Sequence, residues 1–88
     1  MKLYIAHVGF YDDVIGMYEL HSNIFVVAED IQTAKEKVKK NDIFISKKMH
    51  IDAIQELHNI DGYEIRVVKN DCVSDNQIFD YDAIKRLT

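Results

Sequence analysis

The fold is decided by residues 2–10, which read KLYIAHVGF. Apolar side chains fall on both faces of this run, with Leu3 on one face and Tyr4 on the other. Because successive side chains of a strand point to opposite faces, the pattern predicts a central strand that is covered on both sides. A second strand is predicted at residues 19–28, ELHSNIFVVA, and we expect the two strands to pair as an antiparallel hairpin with a long loop.

One helix is predicted directly after the second strand. Asp30 is a favourable N-cap, because its carboxylate can accept hydrogen bonds from the free amides of the first turn. Ile31, Ala34 and Val38 then form one apolar stripe along the helix. We expect Asn41, in a left-handed conformation, to end it.

A second hairpin is predicted where Asp61-Gly62 separates residues 50–57 from residues 63–69. A two-residue turn would set apolar side chains against charged ones across the two strands. A three-residue loop, residues 60–62, pairs apolar with apolar and acidic with basic side chains. We therefore expect the longer loop, with Gly62 in a left-handed conformation.

The order β-β-α-β-β predicts an α+β fold, a mainly antiparallel sheet with one helix packed on a face. An 88-residue chain has room for one domain. Residues 1–70 form that domain in this interpretation, and residues 71–88 are a C-terminal extension packed on it, ending in a short helix capped by Asp80. The pattern leaves the form of residues 43–49 open.

The composition is that of a globular protein. The chain is 48% hydrophobic and 30% charged, with no Pro and three Gly, which argues against disorder, collagen and coiled coil. Its single cysteine, Cys72, can form no intramolecular disulfide, and this fits a reducing compartment. The apolar start is too short for a membrane span and carries no cleavage signal. We expect a cytoplasmic protein without membrane association.

The net charge of −4 disfavours a nucleic-acid partner. Lysines crowd residues 35–48, but arginines and interleaved aromatic residues are missing there. A solvated helix face explains this stretch better than a phosphate-binding patch.

Short motifs distributed over residues 2–69 carry a family resemblance. They are KLYIAHVG at the start, Glu19-Leu20-His21 leading into IFVVAE, the helix with Ala34, His50-Ile51-Asp52, and Asp61-Gly62-Tyr63. In these motifs the chain resembles the uncharacterised bacterial family called domain of unknown function 1543. The resemblance implies small bacterial proteins with one or two copies of the domain, and it supports the fold without implying an activity.

The sharpest candidate site combines Glu19 and His21 on one strand with His50 and Asp52 on another. Within each pair the residues are two apart, so both side chains leave the same face of a strand. If the strand ends meet, two imidazoles and two carboxylates converge. Such a set suits Zn²⁺ or another divalent transition ion, and equally a His–Asp acid/base pair. The competing interpretation is a set of structural hydrogen bonds.

The remaining reactive residues offer weaker signals. We expect His7 to be a half-buried strand residue and His58 to face solvent. Cys72 has no partner motif and is interpreted as a plain thiol. The three glycines are too scattered to build a phosphate-binding loop.

The first loop is too apolar for an ordinary solvated connection. Either it folds onto the sheet or it forms a contact surface with another chain. A two-fold dimer would also protect an edge strand, so we favour self-association. The interface candidates are Phe10, Tyr11, Ile15, Met17 and Tyr18.

Two functions of different classes follow. The first, which the sequence favours, is a small non-catalytic binding or protein-interaction module that forms a homodimer and has an unidentified protein or small-molecule partner. The alternative is a small metal-binding protein or hydrolase that uses Glu19, His21, His50 and Asp52. The sequence leans against an enzyme and assigns no cofactor.

Overall fold

The computed structural model describes residues 1–72 and 74–88 of the chain. The elements are β1 (Lys2–Tyr11), β2 (Glu19–Ala28), α1 (Ile31–Lys39), α2 (Asp42–Ser46), β3 (His50–Leu57), β4 (Asn59–Ile60), β5 (Tyr63–Glu64) and α3 (Tyr81–Lys85). Three strands form one antiparallel sheet in the order β2-β1-β3, and two short strands, β4 and β5, form a second. The predicted α+β class is confirmed. In the described ranges no helix is both long and apolar enough to cross a membrane.

The core lies between β1 and α1. Strand β1 is the central strand, as predicted, and it pairs with β2 along its full length, from Lys2 opposite Ala28 to Tyr11 opposite Glu19. Its even-numbered side chains from Tyr4 to Val8 are buried, and they pack with the buried Ala34 and Val38 of the helix. Full burial of such side chains is the main stabilising contribution to a fold of this size.

The opposite face of the sheet is not covered, so the expectation of a strand covered on both sides is wrong. Leu3 and Ile5 are partly exposed, His7 is exposed, and Phe25 on β2 has 61% of its surface accessible. We call this side of the sheet, with the side chains of Leu3, Ile5, His7 and their cross-strand neighbours, the open face. The predicted two-sided apolarity is real, but the structure buries one side of it.

Helix α1 starts as predicted. The amide of Thr33 donates to Asp30 Oδ1 at 2.8 Å, which satisfies one of the free amides of the first turn. Ala34 and Val38 are fully buried, whereas Ile31 is 53% exposed, so the buried stripe is narrower than predicted.

The predicted role of Asn41 is wrong. Its φ and ψ are −63° and 133°, an extended conformation rather than a left-handed one. The reason is a competing hydrogen bond: Asn41 Oδ1 accepts from the amide of Ile43 at 3.0 Å and so caps α2. Of the undecided residues 43–49, residues 43–46 are therefore helical.

Strand β3 pairs with β1 and not with residues 63–69, so the predicted second hairpin is wrong in its partner. Leu57 lies opposite Leu3, and Ile54 opposite Ala6. The free edge of β1 offers apolar partners along almost the whole of β3, which the short segment after Gly62 cannot match.

The predicted three-residue loop is also wrong. Ile60 pairs with Tyr63 across a two-residue turn in which Asp61 and Gly62 have φ values of 54° and 79°. A turn with two left-handed residues matches the twist of the strands that it joins. The strand predicted at residues 63–69 shrinks to Tyr63–Glu64.

The C-terminal helix α3 is capped as predicted, with the amide of Ala83 donating to Asp80 Oδ1 at 2.9 Å. Ile84 in this helix is 53% exposed, and Leu87, which follows the helix, is 70% exposed. The division into a domain and an extension stays a prediction.

A β-bulge interrupts the pairing of β1 with β3. His7 lies opposite Ala53 and Val8 opposite Ile51, which leaves Asp52 as an extra residue on β3. Directly opposed residues share a face, so Ala53 points to the open face with His7. Asp52 reaches His21 and His50 and thus occupies the open face too. Two consecutive side chains therefore lie on the same side, which a regular strand does not allow.

Candidate metal centre on the open face of the sheet

Strand pairing brings the candidate residues together at one end of the open face. Gly9 on β1 lies opposite His21 on β2 and opposite His50 on β3. The two imidazoles therefore flank a residue that has no side chain. Glu19, two residues before His21, and Asp52, in the bulge, complete the set. We call Glu19, His21, His50 and Asp52 the His/carboxylate cluster.

Each histidine of the cluster contacts both carboxylates. His50 Nε2 lies 2.7 Å from Glu19 Oε1 and 3.2 Å from Asp52 Oδ1. His21 Nε2 lies 3.5 Å from Glu19 Oε1 and 3.4 Å from Asp52 Oδ2. Each imidazole nitrogen thus faces both carboxylates, and all four residues singled out in the sequence converge.

The four nitrogen–oxygen distances in the cluster are close to the separation of neighbouring ligand atoms around a tetrahedral ion. A four-coordinate ion with ligands at about 2.0–2.1 Å has its ligand atoms about 3.3–3.4 Å apart. The four nitrogen–oxygen distances run from 2.7 to 3.5 Å. The side chains are 33–47% exposed, so an ion can reach the cluster from solvent. Small rotations of the side chains would move the closest ligand atoms far enough apart to surround an ion.

Gly9 makes room for this convergence. A Cβ built on Gly9 would come within 2.6 Å of His50 Nε2 and would also collide with Glu19 Oε1. Real Cβ atoms do not approach other atoms so closely. The absence of a side chain at this position is therefore what lets β2 and β3 place their polar side chains above β1.

The electrostatics of the cluster favour a cation. One oxygen of Glu19 and one of Asp52 lie within 4.8 Å of each other and of His50. Two carboxylates held this close repel each other when both are charged. A divalent cation would balance them and would use the lone pairs of both imidazoles.

His7 is a site residue that the sequence analysis did not assign. It is exposed rather than half-buried, and its ring stacks on that of His21 with centroids 4.9 Å apart and an angle of 7° between the planes. Its Nδ1 lies 3.2 Å from Asn23 Oδ1. The alternation of side chains along β1 could have identified His7 from the sequence, because His7 and Gly9 are two residues apart and must share a face. His58, in contrast, faces solvent as predicted.

A shallow cavity adjoins the cluster on the open face. It has a volume of about 320 Å³ and is lined by Ile5, His7, Asn23, Ala53 and Gln55. Apolar side chains and amides alternate around it, and His7 belongs both to its wall and to the neighbourhood of the cluster. A small molecule bound there would lie beside the histidines.

One interface candidate, Tyr11, borders the cluster, since it lies opposite Glu19. Tyr11, Ile15, Met17 and Tyr18 are 58–95% exposed, while Phe10 is partly buried. Tyr11 comes nearest, with its ring centroid 6.4 Å from that of His50. The loop that carries the other exposed residues presents an apolar surface to solvent.

A comparison with protein families places this geometry in context. The family model described as Domain of Unknown Function (DUF1543) matches residues 16–67. The matched segment contains the whole His/carboxylate cluster, while His7 and Gly9 precede it. Searches of the curated proteins and of the solved structures returned no match.

Proposed function

Since the chain belongs to the family described as Domain of Unknown Function 1543, which brings no activity with it, we propose a function from the geometry: the protein binds a divalent transition-metal ion through the His/carboxylate cluster. Of the two functions that the sequence suggested, this is the alternative. The contacts within the cluster now give it the stronger support.

The observation that carries the proposal is the contact of His50 Nε2 with two carboxylates at once, 2.7 Å from Glu19 Oε1 and 3.2 Å from Asp52 Oδ1. A neutral imidazole nitrogen can donate one hydrogen bond, so it cannot satisfy both oxygens. An ion between the three atoms would accept all three lone pairs. His21 Nε2, at 3.4–3.5 Å from both carboxylates, lies directly beside this set of three.

The donor set selects the class of metal. Imidazole nitrogens with carboxylate oxygens suit Zn²⁺, Ni²⁺, Co²⁺ or Fe²⁺ better than Mg²⁺ or Ca²⁺, which prefer oxygen alone. An ion held by Glu19, His50 and Asp52 would keep its fourth position open to water, which a divalent ion activates for hydrolysis. The cavity beside His7 gives a small substrate a place next to that water, so hydrolysis is the reaction to screen for.

Histidine imidazole NMR with Zn²⁺ tests the proposal. The ring signals of His50 and His21 should shift together as the metal is added, while the signals of His58, outside the cluster, stay in place. Glu19→Gln replaces a charged carboxylate ligand by a neutral amide and should weaken binding by at least the roughly 10–100-fold that losing an outer-shell partner alone costs. Glu36→Gln, the same change on the exposed surface of α1, is the matched control and should bind like the wild type.

Independent histidine signals that ignore zinc would overturn the proposal. So would zinc binding of equal affinity in Glu19→Gln and Glu36→Gln, because the cluster would then not be the binding site.

We propose, as a second function, that the protein self-associates through its first loop. The isolated chain exposes 7753 Å² of surface, whereas a compact chain of this size exposes about 5,400 Å². Val14 and Met17 are each 95% exposed and Tyr18 is 78% exposed. A homodimer would cover these side chains, and the excess of about 2,300 Å² per chain is more than the roughly 800 Å² that each partner buries in a standard interface.

Sedimentation velocity over a range of concentrations tests self-association. The wild type should shift from monomer to dimer as the concentration rises, and Tyr18→Glu should remain a monomer. Tyr81→Glu makes the same change at an equally exposed tyrosine of α3 and should dimerise normally. A monomer at every concentration would contradict the proposal.

We place the protein in the bacterial cytoplasm. The supporting features are the lone cysteine, Cys72, which is exposed and free of a disulfide, and the bacterial family that the chain resembles. Detection of the protein in a periplasmic fraction would contradict this placement.

A further inference from the structure

We infer that the open face binds a second divalent ion, held by His7, His21 and Asp52, so that Asp52 bridges two metals. The inference rests on the proposed function, because the first ion is the one held by Glu19, His50 and Asp52. Two sets of three donors meet at this bridge: one atom each of Glu19, His50 and Asp52 lie within 4.8 Å of one another, and so do one atom each of His7, His21 and Asp52.

The two oxygens of Asp52 point to different histidines. Oδ1 lies 3.2 Å from His50 Nε2, and Oδ2 lies 3.4 Å from His21 Nε2. A carboxylate that presents one oxygen to each of two nitrogen ligands has the arrangement of a bridging ligand in a two-metal centre, where the ions are about 3.5–4 Å apart. At the bulge, the side chain of Asp52 lies on the open face and contacts both histidines.

His7 is oriented for a metal by a neighbour of its own. Its Nδ1 lies 3.2 Å from Asn23 Oδ1, and in the tautomer that donates from Nδ1 to this oxygen, Nε2 would carry the lone pair. Metal-binding histidines are commonly held in this way by a hydrogen bond from the other ring nitrogen. The ring of His21 is stacked parallel to that of His7, with centroids 4.9 Å apart. One nitrogen of each ring lies within 4.8 Å of the other and of an oxygen of Asp52.

The charges predict that the two ions bind in sequence. The first site offers two carboxylates, Glu19 and Asp52, and balances the charge of one divalent ion. The second site offers two neutral imidazoles and shares the charge of Asp52, so it repels its ion more and holds it more weakly. A hydroxide or an anionic substrate between the ions would compensate for this charge.

Calorimetric titration with Zn²⁺, together with metal analysis of the loaded protein, tests the inference. The wild type should take up two equivalents in two steps, the second weaker. His7→Ala should take up one equivalent with the affinity of the first step unchanged. Asn23→Ala should keep both steps and weaken the second by roughly 10–100-fold, since it removes a hydrogen bond and no ligand. His58→Ala, outside both sites, should bind like the wild type.

The outcomes separate the inference from the proposed function. One equivalent in both the wild type and His7→Ala would leave a single-ion site with His21 as its fourth ligand, and would overturn only the second ion. One equivalent in the wild type that is lost in His7→Ala would also overturn it. No uptake by the wild type would overturn both. His7 is exposed, and circular dichroism of each variant checks that the fold is retained.

Discussion

Gly9 is the residue on which the cluster depends most directly, because its missing side chain is the space that Glu19 and His50 occupy. Gly9→Ala should displace both side chains and weaken zinc binding by roughly 10–100-fold, the cost of disturbing the support of a ligand. The backbone of a strand accepts alanine, so the effect on folding should be smaller than the effect on binding. Calorimetric titration and thermal unfolding of the same variant measure the two effects.

Gly62→Ala is the matched control for Gly9→Ala. Gly62 has a φ of 79°, and a Cβ added there would meet nothing within 4 Å. Its cost is therefore one of backbone conformation alone, about 1 kcal/mol of unfolding free energy. Zinc affinity should not change. If Gly62→Ala weakened zinc binding as much as Gly9→Ala, the special role of Gly9 would be refuted.

At the level of residues, the sequence predicts the four residues of the cluster but not the neighbouring His7. The spacing of two within each pair placed Glu19 with His21 and His50 with Asp52 on one face, and the structure agrees. His7 was missed because it was considered as one position in an apolar strand. Its role depends on which face of β1 stays uncovered, and that depends on tertiary packing.

At the level of elements, the N-cap of α1 couples stability to pH. The hydrogen bond from the backbone amide of Thr33 lowers the pKa of Asp30 below its ordinary value. A lowered pKa in the folded state means that the charged carboxylate stabilises the fold above the ordinary pKa of about 3.9, and that this contribution is lost as the pH falls through the lower, folded-state value.

Asp30→Ala should therefore lower the midpoint of thermal unfolding by about 4–8 °C at neutral pH, and the difference from the wild type should shrink below about pH 3.9. Asp80→Ala removes the same kind of cap from α3, a five-residue helix with exposed side chains, and should have a smaller effect. A difference for Asp30→Ala that stays constant down to pH 2 would contradict the assigned cause.

Elements with strong local signals were predictable, and their long-range partners were not. The first hairpin and α1 follow from alternation, β-branched residues and a cap, all of which act within a few residues. The partner of β3 depends on competition between the edge of β1 and the segment after Gly62. Pairing rules alone favoured the nearer segment, whereas burial of Ile54 beside Tyr4 and Val38 favours β1.

At the level of the whole molecule, the single chain is more extended than a compact domain. Its radius of gyration is 15.9 Å, against about 12 Å for a compact chain of 88 residues. If a second copy covers the apolar loop, the thermal midpoint should rise with protein concentration, because association stabilises only the folded state. Tyr18→Glu should unfold at a midpoint that does not depend on concentration. A concentration-independent midpoint in the wild type would contradict a dimer coupled to folding.

The bulge at Asp52 sets the stability of the fold against the proposed metal binding. Removing residue 52 would let β1 and β3 pair without interruption, and an uninterrupted ladder holds its strands better. The shortened chain should therefore melt at a higher temperature and resist proteases for longer, while it retains no zinc. A directed-evolution experiment that selects for heat resistance alone should recover this deletion. The same selection in a medium where survival requires the metal-loaded protein should eliminate it.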